Sequence, residues 1–420
     1  PKRPHLLVSR VLGKHIPTDP RVVRGAAAIL GHLVSQQLGV AAATPPLPSL
    51  GKALDGTSSE QTIASQQLAA FTDAALACAG RPAATPGGRA LVIGMAETAV
   101  ALGHVVADAV PGSVYLHSTR ATTSVPPMDG FTEPHSHAPG HLLRPSPRSL
   151  LSDGDGPLIL VDDELTSGTT LLNVLTVLRR HTARTRCVIA TLTDLRDDVA
   201  VRRMQRSADE LGFDLAVVSL VRAQLLLADS FAETAARLVA ENRTDAASSL
   251  APGRWDSVAE VSFLSTPDSG LHGITEPQRR ALAGRLHAGV LPAPRRGERV
   301  LVLGTEEVMT VPLLLADLWK RADPTASVKF STTTRSPVAA IDQTGYALRS
   351  ALEWPGEDGS SRFCYNVHPG QRGAAFDRIL VVTNDHPNSS SMAALASALK
   401  ACAPRVALLA LSSFDPGAGP

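Results

Sequence analysis

Two adjacent carboxylates, Asp162 and Asp163, stand between an unbroken apolar run, Leu158-Ile-Leu-Val161, and a hydroxyl-rich loop, Thr166-Ser-Gly-Thr-Thr170. An apolar tetrad bounded by polar residues is the pattern of a strand covered on both faces, as in a parallel sheet. Leu171 to Leu178 continues with helical periodicity, so the segment predicts strand, polar loop and helix in that order. Backbone N–H groups and hydroxyls gathered at a helix N-terminus suit a phosphate dianion. The carboxylates fall at the carboxyl end of the strand, where open α/β sheets bind ligands. A phosphate cup beside acids that take hydroxyls, directly or through Mg²⁺, suits a sugar phosphate. A surface Asp-Asp turn followed by a simple helix cap would use the same residue types without a ligand.

This stretch closely resembles the phosphoribosyl-pyrophosphate (PRPP) signature of type I phosphoribosyltransferases: hydrophobic strand, acidic pair, then Thr-x-Gly-Thr. The resemblance implies that Asp162 and Asp163 contact the ribose 2- and 3-hydroxyls and share a Mg²⁺ ion with the ligand. It implies that Thr166, Ser167, Gly168, Thr169 and Thr170 cradle the 5-phosphate, with Glu164 completing the catalytic acids. Glu164, Glu133 and His135 are the candidates for a general base.

A second buried strand, Leu91-Val-Ile-Gly94, ends in Gly94-Met95-Ala96-Glu97-Thr98 ahead of a helical run from Ala99 to Ala109. In the resembling family this loop holds the pyrophosphate end of PRPP. A glycine permits close backbone approach, and N–H groups at a helix start face anionic oxygens. A plain strand–turn–helix would read the same way. Arg120, after the strand Ser113 to His117, is placed to neutralise phosphate oxygens through its forked donors. Ala121 to Ser152 is long, Pro- and Gly-rich and without clear period, which predicts a lid in the resembling family. Phe131, Glu133, His135 and His137 lie in it as candidate contacts to the acceptor. With His141 the two histidines also invite a zinc reading, although the spacing is loose and no cysteine joins them. Near the start, Arg10, Lys14, His15, Asp19, Arg21 and Arg24 are dense. They predict either a hood lining the acceptor side of the same site or a solvated helix end.

The elements around these residues occur twice. Arg89-Ala-Leu-Val-Ile-Gly94 matches Arg299-Val-Leu-Val-Leu-Gly304, and Val114 to Arg120 matches Val328 to Arg335 with one inserted residue. Leu158 to Asp163 matches Ile379 to Asn384, where Thr383 and Asn384 replace the acids. Pro387-Asn-Ser-Ser-Ser391 stands in place of the Thr-Ser-Gly-Thr-Thr loop, and Pro17-Thr-Asp-Pro20 faces Ile274-Thr-Glu-Pro277. The expected fold class is therefore α/β, with two doubly wound parallel-sheet units of type I phosphoribosyltransferase-like fold, the second a degenerate duplicate. The expected boundaries are residues 1–225, a linker helix within 226–250 at Phe231 to Glu241, and residues 251–420. The arrangement resembles a bacterial two-domain family found with tellurite-resistance gene clusters, whose C-terminal TRSP domain is named for the motif seen here as Thr334-Arg335-Ser336-Pro337. The stretch Ser9 to Arg21 fits that family too. A ligand of its own for the second unit would be held through Arg335, Glu306 and Glu307.

At 420 residues two domains are the default. A formal charge of +1, from 40 basic and 39 acidic residues, gives no reason to expect nucleic acid or an anionic membrane as partner. The four cysteines (Cys78, Cys187, Cys364, Cys402) show no metal spacing. No apolar leader or run near 18 residues is present, which predicts a soluble cytoplasmic protein. The expected activity is Mg²⁺-dependent transfer of phosphoribose from PRPP to a nucleobase-like or other small acceptor, in the making of a nucleoside-like metabolite, with a homodimer among the expected states. The competing readings are a PRPP- or nucleotide-sensing regulator without turnover, and a nucleotide pyrophosphorylase or hydrolase; the intact acid pair favours catalysis.

Overall fold

The computed structural model describes residues 6–77, 88–132, 140–241, 253–262, 269–287, 291–368 and 376–412. In chain order its elements begin with α1 (Pro20–Leu38), α2 (Leu50–Asp55), α3 (Ser58–Leu76), β1 (Leu91–Gly94), α4 (Val100–Asp108) and β2 (Val114–His117). Then come β3 (Asp129–Thr132), β4 (Gly140–Leu143), β5 (Leu158–Leu165), α5 (Thr169–Leu178), β6 (Arg186–Asp194), α6 (Asp198–Glu210), β7 (Asp214–Arg222) and α7 (Phe231–Glu241). The remainder comprises β8 (Ser257–Ser262), β9 (Ile274–Thr275), α8 (Glu276–His287), β10 (Arg299–Gly304), α9 (Thr310–Ala322) and β11 (Ser327–Thr332). It ends with β12 (Ala351–Pro355), β13 (Ser361–Tyr365), β14 (Arg378–Thr383), α10 (Ser390–Lys400) and β15 (Arg405–Ser412). No helix among the described residues is long and apolar enough to cross a membrane.

Two compact units form, and neither is a contiguous half of the chain. The first gathers Arg21–Leu225 with Leu264–Gly284; the second gathers Pro1–Pro20, Leu226–Phe263 and Arg285–Ser413. By contact the units do not follow a single cut near residue 225: two short arms are grouped across it. Ile274 and Thr275 of β9 pair antiparallel with Tyr115 and Val114 of β2, which adds them to the first unit's sheet. The Thr18 N–H donates to the Phe330 carbonyl at 3.0 Å and the Phe330 N–H returns the bond at 2.8 Å, which places the N-terminal arm on β11. These are the stretches Pro17–Pro20 and Ile274–Pro277 that align in sequence. The expected linker helix is present as α7, with no buried residue.

The first unit's sheet runs β7-β6-β5-β1-β2-β9, parallel apart from β9. Leu91 to Gly94 and Val114 to His117 are buried throughout, as strands covered on both faces must be. Helix α4 packs on β1, β2 and β5, and Val100 to Ala107 of it are all buried. Between α1 and α3 lies the short helix α2, and Thr57 opens α3 with a capping box closed by Glu60. The second unit's sheet runs β11-β10-β14-β15-β8, all parallel. Its first four places repeat the order β2-β1-β5-β6; the fifth is filled by β8, a strand from upstream rather than downstream.

What fixes β9 to the first unit is a buried arginine. Arg279 on α8 donates to Asp108 Oδ1 at 2.6 Å and to the carbonyls of Ala107 at 3.1 Å, Ser113 at 3.1 Å and Ile274 at 3.2 Å. Beside it Gly270 lies against the Tyr115 ring, where a Cβ would come within 2.3 Å. Burial alone would raise the Asp108 carboxyl, but His104 and Arg279 outweigh it and hold the group well below the usual carboxylate range. Such stabilisation is present above the unfolded-state pKa and is lost as pH falls toward the depressed folded value. Arg279→Met should therefore destabilise the first unit by about 3 kcal/mol at pH 7. The deficit should shrink below about pH 4, the unfolded carboxyl range. Urea unfolding of both chains at the two pH values checks it; a deficit independent of pH would contradict the ion-pair account.

Candidate functional site

Parallel register brings the acid pair and the first glycine loop to one edge. Gly94 pairs with Val161 on one side and with His117 on the other, so Met95 follows opposite Asp162 and Ser118. The Met95 N–H donates to the Val161 carbonyl at 2.9 Å and the Ser118 N–H to the Gly94 carbonyl at 3.0 Å. From β1 the chain proceeds to β2 on one side, and from β5 to β6 and β7 on the other. The crevice between β1 and β5 is thus the point where strand order reverses, the place where such sheets take their ligands.

Strand β5 runs on through the acids to Leu165, further than the apolar tetrad suggests, because Asp162 and Glu164 pair with Thr191 and Thr193 of β6. Asp162, Asp163 and Glu164 are half-buried. The Asp163 N–H donates to Asp162 Oδ1 at 3.0 Å. Among the described residues no group of three or more His, Cys, Asp or Glu side chains is arranged to hold a metal ion.

Thr166 to Thr170 form the expected loop at the start of α5. Gly168 is the cap residue with φ +77°, a left-handed conformation that glycine adopts without strain. A Cβ there would also lie 2.7 Å from the Met204 sulfur. Ser167 Oγ donates to Thr169 Oγ1 at 3.0 Å and accepts the Thr169 N–H at 3.3 Å, while its carbonyl accepts from Arg203 at 2.8 Å. Behind the loop Arg196 forms a buried bidentate pair with Asp194, at 2.9 and 2.8 Å.

In the second loop Met95, Ala96 and Glu97 are buried, and the Ala96–Glu97 peptide is cis. Gly94 has no room for a side chain for an internal reason: a Cβ would meet the Tyr115 hydroxyl at 2.6 Å and the Ala99 carbonyl at 2.7 Å. The Ala96 N–H donates to Ser118 Oγ at 2.9 Å. Arg120 Nη1 lies 3.9 Å from the buried Glu97 carboxylate, so this acid of the loop has an arginine next to it.

The stretch expected as a featureless lid carries an ordered hairpin of β3 and β4, with Phe131 opposite His141 and Leu143 fully buried. Thr119 exchanges backbone bonds with Leu142, which ties the hairpin to the end of β2. Phe131 is itself buried and stacks on His141 with centroids 4.8 Å apart. Glu133, His135 and His137 lie outside the described residues. His141 is engaged by Ser118 and Arg120, so it does not join a zinc set in this arrangement. Sequence reasoning does not assign it to this site because its partners lie 21 and 23 positions away, brought to it by tertiary pairing. His117 and His272 are buried and held neutral, His117 pushed down to about 4 chiefly by desolvation. Burial pushes the Cys187, Cys364 and Cys402 thiols up, which makes them inert core residues.

The basic N-terminal cluster is divided between the two units. Arg10, Lys14 and His15 belong to the second unit: the Lys14 carbonyl accepts from Ser331 Oγ at 3.3 Å, the His15 carbonyl accepts from Asn366 at 3.0 Å, and Gly13 packs on Phe330. Arg21 is buried in α1 of the first unit. The Thr18–Phe330 pairing places the first three with the second unit's sheet and leaves Arg21 in the first unit's helix. In the second unit Arg335 and Arg362 both bond Glu306, which adopts φ +50°, and Arg362 reaches Asp358 at 3.1 Å. Glu357 accepts the Ser391 N–H at 2.7 Å and Ser390 Oγ at 2.9 Å, at the start of α10.

A family model described as "Phosphoribosyl transferase" matches residues 1–224, and one described as "TRSP domain C terminus to PRTase_2" matches residues 268–399. No curated protein matches the chain. Similar solved structures include adenine phosphoribosyl transferase from Trypanosoma brucei, at 13% identity and TM-score 0.25 over 39% of this chain and 74% of that one. They also include the Giardia lamblia enzyme, at 16% identity and TM-score 0.25 over 37% and 81%, and that of Saccharomyces cerevisiae, at 12% and 0.24 over 46% and 99%. Because the first match spans more than half of the 420 residues, the chain belongs to the phosphoribosyl transferase family, with a TRSP domain following the transferase domain.

Proposed function

We propose that the first unit transfers the 5-phosphoribosyl group of PRPP to a small nitrogen, or carbon, nucleophile and releases pyrophosphate. The observation that carries the reading is the meeting of Asp162 and the Met95–Thr98 loop at the reversal of strand order between β1 and β5, with the Thr166–Thr170 loop opening α5 beside them. In the reaction the bond from ribose C1 to pyrophosphate breaks, pyrophosphate keeps the electron pair, and a bond from C1 to the acceptor forms as the acceptor loses its proton. Positive charge gathers on the ribose, so the protein's task is to position two reactants and to stabilise separated charge.

The residues divide that task. The Thr166–Thr170 loop, with its glycine bend, would hold the 5-phosphate at the N-terminus of α5. Asp162 and Asp163 would fix the ribose hydroxyls, and their negative charge favours a cationic sugar. The Met95–Thr98 loop and Arg120 would receive pyrophosphate. Glu164 is the described candidate for the acceptor's base. The donor set suits Mg²⁺, which is commonly held by one or two carboxylates and completed by substrate oxygens rather than by an all-protein cage. When bound it would neutralise the leaving pyrophosphate. The acceptor is nucleobase-like or another small molecule, and the product a nucleoside-like metabolite.

The second unit is read as a degenerate copy without transfer chemistry. Thr383 and Asn384 stand where the acid pair would be at the end of β14, with the single carboxylate of Asp385 following them, and Glu357 of the chain itself sits at the start of α10. Arg335 and Glu306, suggested as ligand contacts, are paired with each other.

Asp162→Asn with Asp163→Asn in the full chain should abolish calorimetrically measured PRPP binding in Mg²⁺ and all pyrophosphate release across pooled acceptors, with the thermal midpoint retained. Unchanged PRPP affinity would sink the sugar-site assignment, and residual turnover would refute the inactivity of the second unit. Gly168→Ala forces a side chain into φ +77° and onto Met204. It should destabilise by about 1–3 kcal/mol and weaken ribose 5-phosphate binding more than pyrophosphate binding. Equal weakening of the two ligands would argue that the loop does not hold the 5-phosphate.

A further inference from the structure

We infer that His141 is a positioning residue for the pyrophosphate half of this site, holding Arg120 in the orientation that receives the leaving group; the inference rests on the PRPP reading above. The ring sits on the hairpin, two residues into β4, with 1% exposure. Its Nε2 lies 2.8 Å from Arg120 Nη2 and its Nδ1 3.0 Å from Ser118 Oγ. A guanidinium has donors only, so Nε2 must accept from it and the ring proton must sit on Nδ1. That proton points at Ser118 Oγ, which also accepts the Ala96 N–H at 2.9 Å. One tautomer of one ring therefore joins the Met95–Thr98 loop, the end of β2 and the hairpin.

The geometry leaves the ring little freedom. Phe131, its cross-strand partner in register, stacks on it with planes 20° apart. Leu142, its neighbour, is bonded through the backbone to Thr119, the residue before Arg120. Arg120 is consequently held between His141 and, at 3.9 Å, Glu97, with its side chain only 10% exposed. An arginine fixed by two neighbours and largely desolvated loses less freedom when it meets an anion than one waving in solvent. Preorganised donors of this kind stabilise charge where it develops, here on the departing pyrophosphate. His141 does not touch the ligand in this account. Its work is done through Arg120.

The test separates packing from positioning in the full-length chain. His141→Phe keeps a flat ring on Phe131 but removes both nitrogens. His141→Gln places a carbonyl oxygen near the Nε2 position, and His141→Asn places one near Nδ1, out of Arg120's reach. With Mg²⁺ present, PRPP and ribose 5-phosphate affinities are measured by calorimetry for all four chains. Loss of one charge-assisted hydrogen bond corresponds to roughly a tenfold change. H141F and H141N should lose about that factor for PRPP while ribose 5-phosphate binding stays unchanged, and H141Q should keep most of the PRPP affinity. Wild-type PRPP affinity in H141F, or equal behaviour of H141N and H141Q, would overturn the inference alone. Should H141F fail to fold, the Gln and Asn pair decides it. A wild-type chain that binds neither ligand would overturn the PRPP reading and this inference with it.

Discussion

Parallel pairing of β1 with β5, with Gly94 opposite Val161, makes both chains leave the sheet at the same edge and turn into helices side by side. An antiparallel pair would have sent one turn to the far edge. All the proposed chemistry of the first unit follows from that direction of travel: the acids are the last polar step of one strand, and the Met95–Thr98 loop is the first step out of its neighbour. The requirement also explains the burial of both strands, since parallel sheets need helices on each face. Helix α4 meets it by being buried on every side from Val100 to Ala107, with His104 as the one polar side chain in that run.

Close approach is the second constraint. Gly94, Gly103 and Tyr115 meet where the β1 turn passes under α4, and a Cβ on either glycine would come within 3.0 Å of the tyrosine side chain. The tyrosine hydroxyl in turn bonds the Val100 carbonyl at 2.6 Å. The glycine of the loop therefore answers to packing behind the site, whatever the ligand in front of it. Gly168 is different, since a left-handed backbone and the Met204 sulfur both exclude a side chain there.

These facts mark how far the sequence could be read. The acid-pair strand and its helix were legible because apolar run, acids, loop and helical period are all local. The hairpin at β3 and β4 was hidden because its strands are only four residues each, too short to show a period. His141's role was hidden because it depends on Ser118 and Arg120, brought to it by tertiary pairing alone. The two arms present a further kind of limit. Pro17–Pro20 and Ile274–Pro277 have the same local character, so nothing in their residues says which sheet edge each will extend. Only the Thr18–Phe330 bridge and the Arg279 network decide it.

The two units also solve one physical problem in two ways. Every helix begins with N–H groups that its own backbone cannot satisfy, and the helix after the central strand carries that need to the ligand edge in both units. In the second unit the need is met from within: Ser389 caps the Met392 N–H, and Glu357 brings a carboxylate to Ser390 and Ser391. That carboxylate has the sign of charge a phosphate would supply, held by its own hairpin, and bonds from the serines keep it ionised below the usual range. In the first unit the cap residue is Gly168, which has no side chain to offer, and the loop bends so that hydroxyls from Ser167 and Thr169 gather there instead. A helix start furnished with its own anion has little reason to recruit one. A helix start that opens on glycine beside two carboxylates suits an incoming phosphate and the sugar attached to it, and the division of labour proposed for the units rests on that difference.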